Sequence, residues 1–151
     1  MTIEQVSGGR TPDLALVRQE GAAEGYAFVE RTAIEWWTGT NRFDGQGEGF
    51  FVAHRGGVIV GMCGLNRDPY VEDEGVGRLR HLYVVPDARR HGVGQQLVES
   101  CLGLARARFD RVRVRTFEAE AARLYEALGF EPVEEADTTH CLFLRPMSTG
   151  S

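Results

Sequence analysis

The chain has 151 residues, 42% of them hydrophobic, and this length fits one compact domain that can bury a core. Its net charge of −5 argues against general nucleic-acid affinity, which needs a basic surface. No apolar run reaches the roughly 18 residues of a membrane-spanning helix, and residues 1–5 lack the basic and apolar character of a secretory signal. We therefore expect a single cytoplasmic domain, residues 1–151, with no nucleic-acid or membrane partner.

The first half of the chain predicts two helices followed by a hairpin. Apolar residues near helical spacing indicate the helices, and two glycines between apolar runs indicate the hairpin turn. In chain order, the predicted elements are helices 13–20 and 24–37, a loop 38–48, strands 50–54 and 58–65, and an acidic loop 66–77.

The second half alternates between strand and helix patterns. The predicted elements are strand 78–85, helix 95–109, strand 111–116, helix 118–128 with Gly129 as its cap, and strands 130–133 and 140–144. In strand 111–116, Val112 and Val114 share one face, and we expect the arginines on the other face to be solvated. This layout predicts an α/β fold with about six or seven strands and helices packed on the sheet.

Three widely spaced cysteines, Cys63, Cys101 and Cys141, form no CxxC pair, and we expect neither a disulfide framework nor a metal site. Each lies in an apolar segment, which is typical of a small buried side chain. The chain has no lysine, so its basic side chains are all arginine or histidine.

Residues 89–94, Arg-Arg-His-Gly-Val-Gly, lie between a predicted strand and a predicted helix. Two glycines let the backbone approach a bulky group closely, and the helix that follows directs unpaired N–H groups at the same place. This combination predicts an anion site, and a nucleotide pyrophosphate is the anion that suits it. GxGxxG is absent, because Gln-Gln-Leu follows Gly94, and a Walker loop is excluded because no lysine exists.

Two motifs resemble the GCN5-related N-acetyltransferase (GNAT) superfamily. The first is residues 82–94, Leu-Tyr-Val-Val-Pro-Asp-Ala-Arg-Arg-His-Gly-Val-Gly, and the second is residues 121–130, Ala-Ala-Arg-Leu-Tyr-Glu-Ala-Leu-Gly-Phe. The resemblance extends from about Phe50 to Leu144. It implies a sandwich-like acyl-CoA N-acyltransferase fold, with a mixed, mostly antiparallel sheet and helices on both faces.

The resemblance also implies a coenzyme A site. The residues implied in cofactor binding are Tyr83, Val84, Val85, Arg89, Arg90, His91, Gly92, Val93, Gly94, Gln95 and Tyr125. The Val84 N–H would polarise the thioester carbonyl, and the Tyr125 hydroxyl would protonate the leaving thiolate. A simpler reading of Tyr125 is an aromatic residue of the core.

The general base departs from the family pattern, because Arg78 stands where many members carry a glutamate. His81 is the base we consider first, since its ordinary pKa suits the role. Glu72 or Glu74 acting through water, and His140, are the other candidates. Glu118 stands where the family often has an asparagine that contacts the pantetheine arm.

The acceptor is the least determined part of the prediction. Trp37, Phe43, Glu48 and Glu74 are candidate substrate residues, because acidic groups beside aromatic rings suit a cationic amine. Packing of the tryptophans on the sheet and a solvated loop explain the same residues equally well. We expect a monomer or homodimer that acetylates a primary amine of a small molecule or peptide with acetyl-CoA, by direct attack. The alternatives are a non-catalytic acyl-CoA sensor, another acyl group, or a hydroxyl acceptor.

Overall fold

In the computed structural model, which describes residues 1–7 and 9–144, seven strands form one sheet. The strands are β1 (Thr2–Gln5), β2 (Gly49–Arg55), β3 (Val58–Arg67), β4 (Val76–Val84), β5 (Arg111–Val114), β6 (Glu131–Glu135) and β7 (Thr138–Phe143). Their order across the sheet is β1-β2-β3-β4-β5-β7-β6, and only β4 and β5 pair in parallel. The predicted mixed, mostly antiparallel sheet is therefore confirmed.

The α-helices in the described ranges are α1 (Ala15–Ala23), α2 (Ala27–Thr38), α3 (Val93–Ala105) and α4 (Ala119–Ala127). Apolar residues at helical spacing predict one buried stripe over residues 97–109, and α3 buries its members Leu97, Val98, Cys101, Leu102 and Ala105. The last predicted member, Phe109, is also buried but lies beyond the end of the helix, which stops at Ala105 rather than at residue 109. Helix α3 packs on β2, β3 and β4, while α1 and α2 pack on the opposite face of the sheet. Helices therefore lie on both faces, as the family resemblance implies.

Local turn chemistry explains two of the connections. Gly56 and Gly57 have φ of +60° and +79°, the left-handed conformation that a two-residue hairpin turn between β2 and β3 requires. At the end of α4, Gly129 has φ of +101° and the Phe130 N–H donates to the Tyr125 carbonyl. Gly129 thus ends this helix as the sequence predicts.

Two features differ from the sequence prediction. The edge strand β1 was not predicted, because three of its four residues are polar and it pairs only with β2. The arginines of β5 were expected to be solvated, and this is wrong for Arg113, which is only 3% exposed. Arg113 is buried because the Asp68 carboxylate, which follows β3, lies 3.5 Å from its Nε.

The predicted burial of the cysteines is confirmed, since Cys63, Cys101 and Cys141 are all buried. Within residues 1–7 and 9–144, no helix has the length and apolar character needed to cross a membrane. The same residues contain no group of three or more His, Cys, Asp or Glu side chains suited to a metal ion.

Candidate active site

Strands β4 and β5 pair for three residues and then separate. The paired positions are Val76 with Arg111, Gly77 with Val112, and Arg78 with Arg113. Beyond Arg78, β4 continues to Val84 while pairing only with β3. The edge of β4 that faces β5 therefore has no strand partner from Leu79 to Val84, and we call this segment the open edge.

The backbone of Val84 points into this gap. The Val85 N–H donates to the Val60 carbonyl at 2.9 Å, so Val85 faces β3. Successive residues of an antiparallel strand direct their N–H and C=O groups to opposite sides, and Val84 consequently faces away from β3. Of the three backbone positions implied in cofactor binding, Tyr83, Val84 and Val85, only Val84 presents its polar groups to the open edge.

A bulge in β4 shapes the same edge. Arg80 pairs with Gly64 and Tyr83 with Met62, which leaves two residues of β4 opposite one residue of β3. His81, within the bulge, has φ of +63°, a conformation uncommon for any residue other than glycine. Such strain concentrates at functional sites and is held by the surrounding structure.

The glycine loop lies directly after β4 and forms the start of α3. Gly92 is the N-cap with φ of +75°, and no side chain caps the helix. The N–H groups of Val93, Gly94 and Gln95 therefore have no partner within the helix. A Cβ placed on Gly92 would meet no atom within 4 Å, so the space beside the first residue of this helix end is open. This arrangement suits a phosphate group.

Arg89 is committed to neighbouring groups. Its Nη1 and Nη2 donate to the Glu24 carboxylate at 3.0 and 2.5 Å, and its Nε donates to the Val84 carbonyl at 2.9 Å. Glu24 also accepts a hydrogen bond from the Tyr83 hydroxyl. The exposed Arg90 and His91 are therefore the loop side chains that remain available to an incoming anion.

Glu24 has a second role in the electrostatics of this region. The hydrogen bond from Arg89 lowers the pKa of the Glu24 carboxyl, which keeps it ionised. Burial, followed by the hydrogen bond to Glu24, raises the pKa of Tyr83. Sequence reasoning missed Glu24, because nothing in the local pattern of α1 signals a contact with residues far along the chain.

Tyr125 lies on α4 and is 3% exposed. Its ring packs against Phe130 and lies 6.4 Å from the ring of His140. Burial raises the pKa of the Tyr125 hydroxyl, so this group carries its proton at every physiological pH. Helix α4 also approaches the glycine loop, since a Cβ on Gly94 would lie 3.5 Å from Leu124.

His81 lies between β4 and α2. Its Nδ1 is 2.7 Å from the Thr32 hydroxyl, and its ring stacks on Phe28. Burial, with smaller contributions from the charges of Arg80 and Arg31, lowers the pKa of His81 to about 3. The imidazole is therefore neutral at physiological pH, and it is a weak proton acceptor.

The other candidate bases are Glu72, Glu74 and His140, and none of them lies at the open edge with a free side chain. Glu72 and Glu74 precede β4 and lie beyond its paired end, about 30 Å of strand away from Val84. His140 is buried and held by two hydrogen-bonding contacts, 2.9 Å to Glu126 and 2.9 Å to Thr139. The structure therefore does not bring the acidic loop to the open edge.

Arg78, which stands where the family often has its glutamate, belongs to a buried network. It lies 3.5 Å from Asp68 and donates to the Thr138 hydroxyl and the Asp137 carbonyl. Burial lowers the pKa of Arg78, while Asp68 opposes this shift. The position thus holds the paired ends of β4 and β5 together.

The predicted substrate residues are not brought together. Trp37 is 82% exposed on α2, whereas Trp36 packs against Phe43 and Phe50 in the core. Phe43 also meets the His81 ring edge-on at 6.0 Å and so lies near the bulge. Glu48 accepts backbone hydrogen bonds from positions 45 and 67 and thereby orders a loop.

One further residue near the gap, Tyr26, was not predicted as a site residue. Tyr26, at the start of α2, is directed toward the Glu118 carboxylate at the N-cap of α4. Burial, followed by the charges of Glu118 and Glu24, raises the pKa of the Tyr26 hydroxyl. The α1–α2 connection therefore reaches across to the start of α4 beside the open edge.

Comparison with known proteins shows the family to which the chain belongs. Residues 46–132 match the family model described as the acetyltransferase (GNAT) domain. The uncharacterized N-acetyltransferase MJ1207 of Methanocaldococcus jannaschii is 32% identical over 92 residues, which is 58% of this chain and 41% of that protein. The matched region therefore spans less than half the length of this relative.

Two solved structures show the same fold. A protein of Exiguobacterium sp. 255-15, assigned as an acetyltransferase, is 29% identical with a TM-score of 0.82, covering 94% of this chain and 92% of its own. YncA of Salmonella typhimurium, also assigned as an acetyltransferase and solved with its cofactor acetyl-CoA, is 16% identical with a TM-score of 0.72. That alignment covers 100% of this chain and 98% of YncA. The family model spans more than half of the sequence and includes both motifs, so this chain belongs to the GNAT acetyltransferase family.

Proposed function

We propose that this protein transfers an acetyl group from acetyl-CoA to a primary amine, by direct attack of the amine. The observation that carries the proposal is the juxtaposition of two unsatisfied backbone features. The outward N–H of Val84 at the open edge adjoins the uncapped N-terminus of α3, with open space beside Gly92. One feature suits an amide-bearing arm and the other suits a phosphate.

The residues present fit coenzyme A. The backbone N–H groups of Val93, Gly94 and Gln95 would hold the pyrophosphate, and the exposed Arg90 would add a charge-assisted hydrogen bond. Val84 would pair with the pantetheine arm as an added strand does, after the Arg89 guanidinium leaves its carbonyl. When bound, acetyl-CoA supplies the acetyl group as a reactive thioester.

The chain contributes a donor and an acid to this chemistry. The Val84 N–H, fixed by β4, can donate to a carbonyl oxygen on which negative charge develops. The Tyr125 hydroxyl remains protonated because burial raises its pKa, and it can give its proton to a departing thiolate. Both roles require only groups that β4 and α4 already hold in place.

A non-catalytic acyl-CoA sensor is the second candidate function. The observation that favours it is the lack of a strong base on β4, where Arg78 stands at the position of the family glutamate and burial lowers the pKa of His81 in the bulge to about 3. An amine acceptor must lose a proton during transfer, so an enzyme built this way depends on acceptor that is already deprotonated or on water. For an enzyme without a strong base, we expect the rate of acetyl transfer to rise with pH through the pKa of the acceptor amine. A sensor would show no transfer at any pH.

Titration calorimetry with acetyl-CoA and with free coenzyme A tests the cofactor assignment. Gly92→Glu should weaken both by at least about 100-fold, because it places bulk and negative charge at the helix N-terminus. Gly57→Glu is the matched control, since Gly57 has φ of +79° and a Cβ there also meets no atom within 4 Å. Equal affinity in the wild type and Gly92→Glu would contradict the assignment.

A screen for thiol release with polyamines, amino acids, aminoglycosides and peptides then separates enzyme from sensor. Acetylated product identified by mass spectrometry supports transfer to an amine. Tight acetyl-CoA binding with no turnover on any acceptor supports the sensor and contradicts catalysis.

A further inference from the structure

Two arginines beside the bulge have no carboxylate partner. Arg31 on α2 and Arg80 on β4 form no ion pair or hydrogen bond within the described ranges 1–7 and 9–144. The chain has 22 acidic against 17 basic side chains, so partners are plentiful overall. Two nearby arginines do have a carboxylate partner, since Arg78 contacts Asp68 and Arg89 contacts Glu24. Other arginines, such as Arg90 and Arg123, also lack a carboxylate partner within these ranges, and what distinguishes Arg31 and Arg80 is that both act on the imidazole of His81 in the bulge.

The fold brings the two arginines to one place. The hydrogen bond between Thr32 and His81, 2.7 Å long, ties α2 to the bulge of β4. Arg31 directly precedes Thr32, and Arg80 directly precedes His81. The charges of both arginines act on the His81 imidazole and oppose its protonation, which agrees with this proximity.

The alternation of β4 shows which face they occupy. Gly77 faces the α3 side, because a Cβ there would lie 2.7 Å from the Phe109 ring, just after α3. Arg78 and Arg80 point to the opposite face, on which α2 packs. Because β5 pairs with β4 only as far as Arg78, Arg80 is the first residue of this face that lies beside the gap.

This face has an excess of positive charge. Among the described residues, four arginines, Arg31, Arg78, Arg80 and Arg113, approach it against two carboxylates: Asp68, which lies beside Arg78 and Arg113, and Glu35, which follows Arg31 by one turn of α2. Asp68 is fully buried and lies 3.5 Å from both Arg78 and Arg113, and it makes no contact with Arg80. Glu135, 3.5 Å from Arg113, lies on the far side near Arg111.

We propose that Arg31 and Arg80 bind an anionic group, a carboxylate or a phosphate, at one end of the amine acceptor. Two guanidiniums from different elements can hold such a group by charge-assisted hydrogen bonds, and an anion would neutralise the charge that this face leaves unpaired. This inference rests on the proposed acetyl transfer and names its substrate class. The sequence analysis expected acidic side chains, Glu48 and Glu74, to bind a cationic acceptor, whereas this inference assigns basic side chains to an anionic group of the acceptor. The fold places Glu48 and Glu74 away from the open edge.

The geometry also sets the kind of acceptor. Arg80 and Val84 are four residues apart on β4, about 13 Å of strand before the bulge shortens it. The amine must reach the Val84 end while the anion stays with the arginines. Acceptors whose amine and anionic group are several bonds apart therefore fit better than an α-amino acid.

The test compares matched acceptors in the full-length protein. One arm uses ω-amino acids from glycine to aminohexanoate, each against its carboxamide, and the second uses phosphoethanolamine against ethanolamine. We expect kcat/KM to favour the anionic member by at least about tenfold, mainly through KM, with the preference growing along the ω-series. A preference in the first arm alone assigns a carboxylate, and one in the second alone assigns a phosphate.

Arg31→Gln and Arg80→Gln should each lower the ratio of anionic to neutral kcat/KM by about tenfold, and lysine at either position should restore part of it. Arg123→Gln on α4 is the control, because Arg123 is also exposed and unpartnered among the described residues. Melting temperatures of all variants check that they are folded, and we expect small changes because neither Arg31 nor Arg80 has a hydrogen bond or ion pair to lose among the described residues.

Neutral acceptors used as well as or better than anionic ones would overturn this inference while leaving acetyl transfer intact. An anionic preference that survives both glutamine variants would also overturn it. Acetyl-CoA binding without turnover on any acceptor would instead contradict the proposed transfer, and this inference with it.

Discussion

The two ends of β4 differ in what they leave unsatisfied. At the paired end, Arg78 and Arg113 share the buried Asp68, and Thr138 accepts from both arginines. At the open edge, the strand partner is missing, the bulge at His81 is strained, and the α3 N-terminus is uncapped. The polar groups at the paired end of β4 are therefore hydrogen-bonded within the protein, whereas the open edge at the other end presents backbone donors without partners in the described part of the chain.

This difference shows how the fold separates stability from binding. Buried polar groups must find partners, and the paired end satisfies them within the chain. Donors that the chain itself leaves unsatisfied are available to a ligand, and at the open edge these are the Val84 N–H and the amides that begin α3. We expect changes at the paired end to affect unfolding and changes at the open edge to affect cofactor and acceptor.

The largest effect is expected at the paired end. Asp68→Asn leaves Arg78 and Arg113 buried without a counter-charge, which should lower the free energy of unfolding by about 3 to 5 kcal/mol. Urea denaturation measures this. Glu30→Gln is the control, because the Glu30–Arg18 pair is exposed and should contribute less than about 1 kcal/mol. Equal, small losses in both variants would show that the network is not a stability element.

A pH-dependent effect is expected at the bulge. In the unfolded chain His81 binds a proton below about pH 6.5, whereas in the folded protein its pKa is about 3. Protonation therefore favours the unfolded state as pH falls from 6.5 toward 3, and His81 contributes its full stability only above pH 6.5. Between pH 7 and pH 4, the wild type should lose about 3 kcal/mol more unfolding free energy than His81→Gln. Identical losses in the two proteins, measured by urea denaturation, would contradict this.

Removal of the Tyr125 hydroxyl on α4 is expected to affect catalysis without affecting acetyl-CoA binding. Tyr125→Phe should lower kcat by about 100-fold and leave the acetyl-CoA Kd within a few-fold, because only the proton donor is removed. Burial raises the pKa of Tyr125, so the wild-type rate should show no loss from its ionisation up to pH 10. Tyr70→Phe at the paired end is the matched control and should keep wild-type kcat. A Tyr125→Phe enzyme with unchanged kcat would assign this tyrosine to the core.

Local patterns predicted most of the elements that build the site. The glycine loop, the apolar stripe of α3 and the cap at Gly129 each depend on residues close in sequence, and the structure confirms all three. The alternation of Val112 and Val114 also placed β5 correctly, since both are buried.

The features that sequence reasoning missed depend on contacts across the sheet. Arg113 alternates like a surface residue, and its burial follows from Asp68, which arrives from the end of β3. The ordinary pKa of histidine suits a general base, but burial of His81 under α2 lowers its pKa to about 3 and makes it a weak base. Glu24 meets Arg89 only because α1 folds over the end of β4. None of these pairings has a local signal.

Residue-resolved hydrogen exchange is the most direct test of the open edge as the cofactor site. On addition of saturating acetyl-CoA, the amide of Val84 and those of Val93 to Gln95 should exchange at least about tenfold more slowly. The amides of β4 from Val76 to Arg78, already paired, should be unchanged. Acetyl-CoA binding that protects other amides and leaves Val84 and the start of α3 unaffected would contradict the account.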